Sequence, residues 1–111
     1  LLGIAYKGDI DDVRESPALK VWDQLEAKGA DVTYFDPYCR SVKRKGKAFE
    51  SCTLDEDMLK KADAVVVTCA HTKGVDYNLV LEASPLILDT KNIISKVTGV
   101  DLKSCPKLHL L

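Results

Sequence analysis

The chain has 111 residues, 46% of them apolar and 30% charged, and its 16 basic and 17 acidic side chains leave a net charge of −1. That is the size of one globular domain with a real core, and the composition excludes a disordered segment. The balanced charge provides no global field for nucleic acid or a membrane surface, and the longest apolar stretch, residues 64–70, is far short of a membrane span.

Residues 1–5 are a short apolar run that reads as a strand, and no signal peptide is expected. Leu1-Leu2-Gly3 has the character of the middle of a first strand, as though the chain began inside a larger protein. The next helix is expected to start at Pro17, with Ser16 as its N-cap and proline at the first helical position. Ala18, Val21, Trp22 and Leu25 recur at helical spacing and form its apolar face. Lys28-Gly29 ends it. Residues 31–35 read as a second strand stopped by Asp36-Pro37, which completes a β-α-β unit.

Residues 40–47 are a basic run without apolar period, expected to be a solvated loop. Thr53-Leu54-Asp55-Glu56 fits a capping box for a short helix with Met58, Leu59 and Ala62 inward. Residues 64–69 suit a central parallel strand covered on both faces. Asp76 is expected to cap a helix running through Leu81, with Ser84-Pro85 closing it. Residues 86–88 read as another buried strand ending at Asp89, and residues 107–111 as an edge strand. Alternating strands and helices imply an α/β, doubly wound, mostly parallel, Rossmann-like three-layer sandwich.

The long polar segment between the first strand and the first helix lies at the carboxyl end of a strand, the edge at which open α/β sheets bind ligands. Lys7 and Arg14 there have two readings. They are solvated ion pairs with Asp9, Asp11, Asp12 and Glu15, worth little, or an anion site beside a helix N-terminus. Asp12 and Glu15 either orient those cations or cap the helix. A dinucleotide site within this chain is not expected, because Gly3 and Gly8 do not form G-x-G-x-x-G. Asp36 therefore reads as a strand stop, although it sits where such folds put a ribose-binding acid. His71, alone in a loop, reads as structural before catalytic. Cys39, Cys52, Cys69 and Cys105 are scattered, with no C-x-x-C and no histidine at zinc spacing, so no metal site is expected. They read as reduced thiols of a cytoplasmic protein, Cys69 as a small core residue.

The string G-x-A-Y-K followed by D-D-V-R-E-S-P resembles the start of the C-terminal domain of the UDP-glucose/GDP-mannose dehydrogenase family, closest to the branch that oxidises UDP-N-acetylhexosamines. The resemblance continues through K-G-A-D-V-x-x-x-D-P (residues 28–37), A-D-A-V-V-V-x-x-x-H (62–71) and L-D-T-K-N (88–92), in order over nearly the whole chain. It implies that residues 1–111 are the UDP-sugar-binding domain of a larger NAD-dependent nucleotide-sugar 6-dehydrogenase. Such an enzyme oxidises a primary alcohol of the sugar to a carboxylate and consumes two NAD+. The resemblance further implies that Tyr6 and Lys7 approach the UDP-sugar and that Arg14 reaches the NAD pyrophosphate. It implies as well that Lys91 lies near the nucleotide-sugar, at a position where the family usually has arginine. The family's catalytic cysteine, lysine and NAD fingerprint lie upstream, so no catalytic residue is expected here. The implied partners are the enzyme's own N-terminal and central domains, in a homodimer, with no nucleic acid and no membrane. The rival readings are a stand-alone or receiver-like regulatory domain and a purely structural interaction module. Asp63 begins its strand where a receiver would need an aspartate at a strand's end.

Overall fold

In the computed structural model, residues 1–5, 8 and 16–110 are described. Helix α1 (Pro17–Ala27) begins as its sequence requires. Ser16 Oγ accepts from the Ala18 N–H at 3.2 Å and itself donates to the Ala5 carbonyl at 3.2 Å. At the other end the N–H groups of Gly29 and Ala30 return to the carbonyls of Glu26 and Leu25, the paired bonds of a Schellman cap. Ala18 and Trp22 are buried, whereas Val21 and Leu25 are only half-buried.

The basic run is not a solvated loop. Strands β1 (Ser41–Arg44) and β2 (Lys47–Glu50) pair antiparallel as a hairpin. Its two-residue turn is Lys45-Gly46, with φ of 53° and 80°. Positive φ at both positions is the turn whose twist matches that of the strands, and glycine makes the second position free of strain. Val42 and Arg44 face inward and Ser41 and Lys43 outward. Arg44 is 8% exposed. Its guanidinium stacks 4.6 Å from the Trp22 ring centre and 5.5 Å from that of Phe49. It also bonds Asp23, at 2.9 Å, and Glu26. Burial works against that charge, but the two carboxylates outweigh it and hold the guanidinium above its ordinary value. The charged residue that suggested a loop is the one that pins the hairpin to α1.

Helix α2 (Glu56–Lys61) starts two residues later than a Thr53 cap would allow. Asp55 is the N-cap, its Oδ1 accepting from Met58 N–H at 2.8 Å. Glu56 and Asp57 in the first turn and Lys60 and Lys61 in the last complement the helix dipole. Leu59 is its buried residue; Met58 and Ala62 are half-buried. Strand β3 (Val65–Val67) is shorter than the apolar run, and Ala64 is exposed. Helix α3 (Tyr77–Ala83) is capped by Asp76, as expected, through a 3.1 Å bond from Leu79 N–H. Strand β4 (Ile87–Asp89) follows. Next come helix α4 (Ile93–Thr98), for which the sequence reading had no element, a 3-10 turn (Leu102–Ser104) and strand β5 (Leu108–Leu110).

β3, β4 and β5 form a parallel sheet with Val65 opposite Ile87 and Ile87 opposite Leu108. Leu2 extends it, bridging in parallel to Val67 on one side and Phe35 on the other. The two expected outer strands thus join by single bridges rather than long ladders, because Gly3 turns the backbone to φ 89° directly after Leu2. The resulting order is 31–35, 1–5, β3, β4, β5. Alternation sends neighbours to opposite faces. Leu2, Val65, Val67 and Ile87 pack with Leu59, Val80 and Ile94 of α2, α3 and α4. Leu1, Val32 and Tyr34 pack with Trp22 of α1 and with the hairpin. This is the expected α/β sandwich, with the hairpin added to the α1 layer. Val66 and Leu88, on the α1 face, are half-buried, so that face of β3 and β4 is less covered than foreseen.

Arg44→Ala is expected to lower the free energy of unfolding by about 1–3 kcal/mol in a urea titration, as loss of a buried paired side chain does. The bond from Arg44 holds the Glu26 carboxyl below its ordinary 4.5. A lowered folded-state value stabilises above the unfolded value and ceases to as pH falls through the folded one. The melting temperature should therefore drop below about pH 4.5, and Glu26→Gln should remove part of that drop.

Candidate functional site at the carboxyl edge of the sheet

In strand order 31–35, 1–5, β3, the chain leaves the first strand in one direction and returns past it in the other. Ligands of open α/β sheets bind at the carboxyl edge beside such a reversal. Four segments meet there: the exits of residues 1–5, of 31–35, of β3 and of β4.

Asp36 holds three of them together. It is 1% exposed. Its Oδ2 accepts from Ile4 N–H at 2.8 Å, Ala5 N–H at 3.2 Å and His71 Nε2–H at 2.9 Å. Its Oδ1 accepts from Tyr38 N–H at 2.8 Å and Cys39 N–H at 3.1 Å. A carboxylate stripped of water is stable only with such a full set of donors. His71, also 1% exposed, lies 4.7 Å from the Tyr38 ring, and its carbonyl accepts from Tyr77 Oη at 2.5 Å. Asp36 does end its strand, as the sequence suggested, but its side chain does more than stop it. With both oxygens engaged inside the protein, Asp36 offers no face to a ribose.

Two glycines set the fit of the first strand against β3. A Cβ on Gly3 would lie 2.5 Å from Cys69 Cβ, and one on Gly8 would lie 2.2 Å from the Ala70 carbonyl oxygen. Gly8 therefore rests on the loop that carries His71. The segment between Ala5 and Ser16 is closed at its base by the Ser16-to-Ala5 bond. Tyr6, Lys7 and Arg14, the residues expected to meet the nucleotide-sugar and NAD, lie outside the described residues, as do Asp12 and Glu15.

Lys91 is exposed in the turn after β4. That turn is fixed by a second buried aspartate: Asp89 Oδ1 accepts from Lys91 N–H at 3.0 Å and Oδ2 from Ile94 N–H at 2.8 Å. Asp89 thus caps α4 in place of Asn92, which sits at the N-cap with φ 54° and caps nothing with its side chain. Thr90 Oγ1 donates to the Val67 carbonyl at 2.6 Å, which draws the turn to the exit of β3. Gly8 and Thr90, the neighbours of Lys7 and Lys91, consequently flank the same strand end. A cleft of about 830 Å³ borders Asp36 on the side of Pro37, between the hairpin and Thr53. Its charged lining, Asp36, Arg40, Glu50 and Asp76, is mostly acidic and does not favour an anion.

Among the described residues no group of histidine, cysteine and acidic side chains is arranged for a metal ion. The four cysteines form no disulfide, and Cys69 is buried in the core as expected. No helix of the described residues is long and apolar enough to cross a membrane.

Residues 1–96 match the model of the UDP-glucose/GDP-mannose dehydrogenase family, UDP binding domain. The chain belongs to this family. It is 33% identical over 103 residues to UDP-N-acetyl-D-mannosamine dehydrogenase of Methanocaldococcus jannaschii, which covers 86% of this chain and 23% of that protein. Among solved structures it resembles UDP-D-ManNAc dehydrogenase from Pyrococcus horikoshii, with a TM-score of 0.62 and 32% identity over 83% of this chain and 21% of the other. It also resembles NDP-N-acetyl-D-galactosaminuronic acid dehydrogenase from Methanosarcina mazei Go1, with a TM-score of 0.68 and 25% identity over 99% of this chain and 23% of the other. The chain thus spans less than a quarter of the length of these relatives. The family's UDP binding domain is the unit it corresponds to, which favours that reading over a receiver-like module.

Asp36→Asn would turn an amide donor toward backbone N–H groups, and should cost about 3–5 kcal/mol of stability. Ser16→Ala should cost about 1 kcal/mol as a lost N-cap. Chemical denaturation measures both; an unchanged midpoint for either would remove its residue from the support of this edge.

Proposed function

We propose that this chain is the UDP-sugar-binding, C-terminal domain of an NAD-dependent nucleotide-sugar 6-dehydrogenase acting on UDP-glucose or a UDP-N-acetylhexosamine. The match to the family's UDP binding domain over residues 1–96 carries the reading. The carboxyl-edge geometry supports it: an exposed Lys91, and Gly8 directly after Lys7, both border the exit of β3. The diphosphate is proposed to lie there, with Tyr6, Lys7 and Lys91 on the nucleotide-sugar. Lysine supplies a compact charge where arginine would supply a planar fork.

The overall reaction converts a CH2OH group and water to a carboxylate while two NAD+ become two NADH, with three protons released. NAD is proposed to be held mainly by the N-terminal domain of the complete enzyme, with Arg14 as one arm from this domain. The nucleophile likewise belongs to that part, so this domain contributes positioning and charge. The complete enzyme is proposed to be a cytoplasmic homodimer that needs neither nucleic acid nor membrane.

In the full-length protein, Lys91→Ala should raise the Michaelis constant for the UDP-sugar by about tenfold, the loss of one charged hydrogen bond, and leave that for NAD+ nearly unchanged. Lys91→Arg should be tolerated. Lys7→Ala should act on the sugar nucleotide and Arg14→Ala mainly on NAD+. Added salt should shrink the Lys91→Ala defect. Wild-type kinetics for Lys91→Ala at low ionic strength would strike Lys91 from the site. NADH formation by the purified 111-residue chain alone would refute the division of labour between domains.

A further inference from the structure

We infer that His71 is a positioning residue for nucleotide binding: through Asp36 it locks the loop on which the Gly8 turn rests. The inference rests on the UDP-binding role proposed above and extends it to a buried residue that touches no ligand.

The chain of contacts is short. His71 Nε2–H donates to Asp36 Oδ2 at 2.9 Å, and the same oxygen receives Ile4 N–H and Ala5 N–H. Ala5 is the last residue before the segment that carries Tyr6, Lys7 and Arg14. The histidine's own backbone is held from the other side by Tyr77 Oη on its carbonyl. The residue before it, Ala70, presents the carbonyl against which Gly8 lies so closely that no Cβ fits. Both approaches to that segment, at Ala5 and at Gly8, thus run through one histidine–aspartate bond. Tyr38 lies 4.7 Å from the imidazole, and His71 and Asp36 are each 1% exposed. A bond in such a dry setting has few competing geometries, so Ala5 and Gly8, on either side of Lys7, are held in place. Binding then loses less to ordering.

The test uses the full-length protein, with UDP as the probe. His71→Gln keeps an N–H donor at the distance of Nε2, whereas His71→Ala removes it. Gly8→Ala leaves the imidazole–carboxylate pair chemically intact and displaces the turn against the Ala70 carbonyl. Alanine at either position should weaken UDP by about 10- to 100-fold, the usual consequence of a misplaced binding group. The turnover number at saturating substrate should be retained, and glutamine at 71 should restore UDP affinity close to wild type. Where His71→Ala fails to fold, His71→Asn, too short to reach Asp36, takes its place. Unaltered UDP affinity in a folded His71→Ala, or a glutamine variant as weak as alanine, overturns the inference. A wild-type protein that binds no UDP overturns the nucleotide reading instead. Positioning is then decided by amide exchange over residues 3–16: faster exchange in His71→Ala supports it, and equal protection overturns it.

Discussion

The carboxylate of Asp36 is the constraint on which the rest of the structure depends. Burying an ionised carboxylate costs several kcal/mol even after relaxation, and this one is compensated by four backbone N–H groups and an imidazole N–H. The compensation does architectural work. Residues 1–5 and 31–35 join the sheet through a short run of backbone bonds around Leu2 that ends at Gly3, so little ladder is left to fix their register. Asp36 replaces the missing rungs. It takes the N–H groups of Ile4 and Ala5, which have left the ladder, and clamps them to the end of the neighbouring segment. The topological reversal, the place where a ligand fits, is therefore held by a side chain.

A second buried charge plays the matching part on the α1 layer. Arg44 is enclosed by Trp22 and Phe49 and bonded to Asp23 and Glu26. Tyr34 sits in the same cluster, its phenol pushed up to about 12 by burial and donating to the Cys39 and Phe49 carbonyls. Such groups add directional bonds to an apolar cluster, and directional bonds specify one arrangement where apolar contact alone tolerates several. The hairpin is thereby fixed relative to α1, and α1 in turn starts at Ser16, whose hydroxyl reaches Ala5. Hairpin, helix and the base of the polar segment form one connected body.

What was legible in the sequence follows from how local each signal is. Ser16-Pro17, the helical spacing of Ala18 and Trp22, Gly29 after α1 and Asp76 before α3 act within a few residues, and each element appeared where its signal stood. The hairpin was hidden because its inward strand position is a charged Arg44, whose aliphatic and planar parts pack while the charge is paired across the chain. Alternation was present in Ser41-Val42-Lys43-Arg44, but hydropathy alone does not register it. Thr53 and Asp55 both offer a capping oxygen, and only the placement of Met58 N–H decides between them. Helix α4 lacked a local cap because its cap, Asp89, belongs to the preceding strand. Asp36 and His71 are 35 residues apart in sequence, so no pattern within either neighbourhood could announce their bond. The family resemblance gave roles to Lys7, Arg14 and Lys91; its motifs include Asp36 and His71 but gave no role to the pair, since a motif records which residues stand together and not what they touch.

Asp36 and Asp89 end the strands on either side of residues 1–5 and β3 at one sheet edge, and both would be unwelcome next to a diphosphate if their charge faced outward. Each is instead turned onto backbone donors, and both are 1% exposed. The N–H dipoles that satisfy them also offset their field, as oriented amides do around any buried anion. Loops anchored in this way keep their geometry without help from the exposed side chains they carry. Lys91 shows the consequence: its backbone N–H is committed to Asp89, while its ammonium stands in solvent. Exchange of arginine for lysine at this position then alters the reach and shape of the cation and leaves the turn beneath it intact. The buried acids fix where the edge is, and the exposed cations above them are left to determine what it holds.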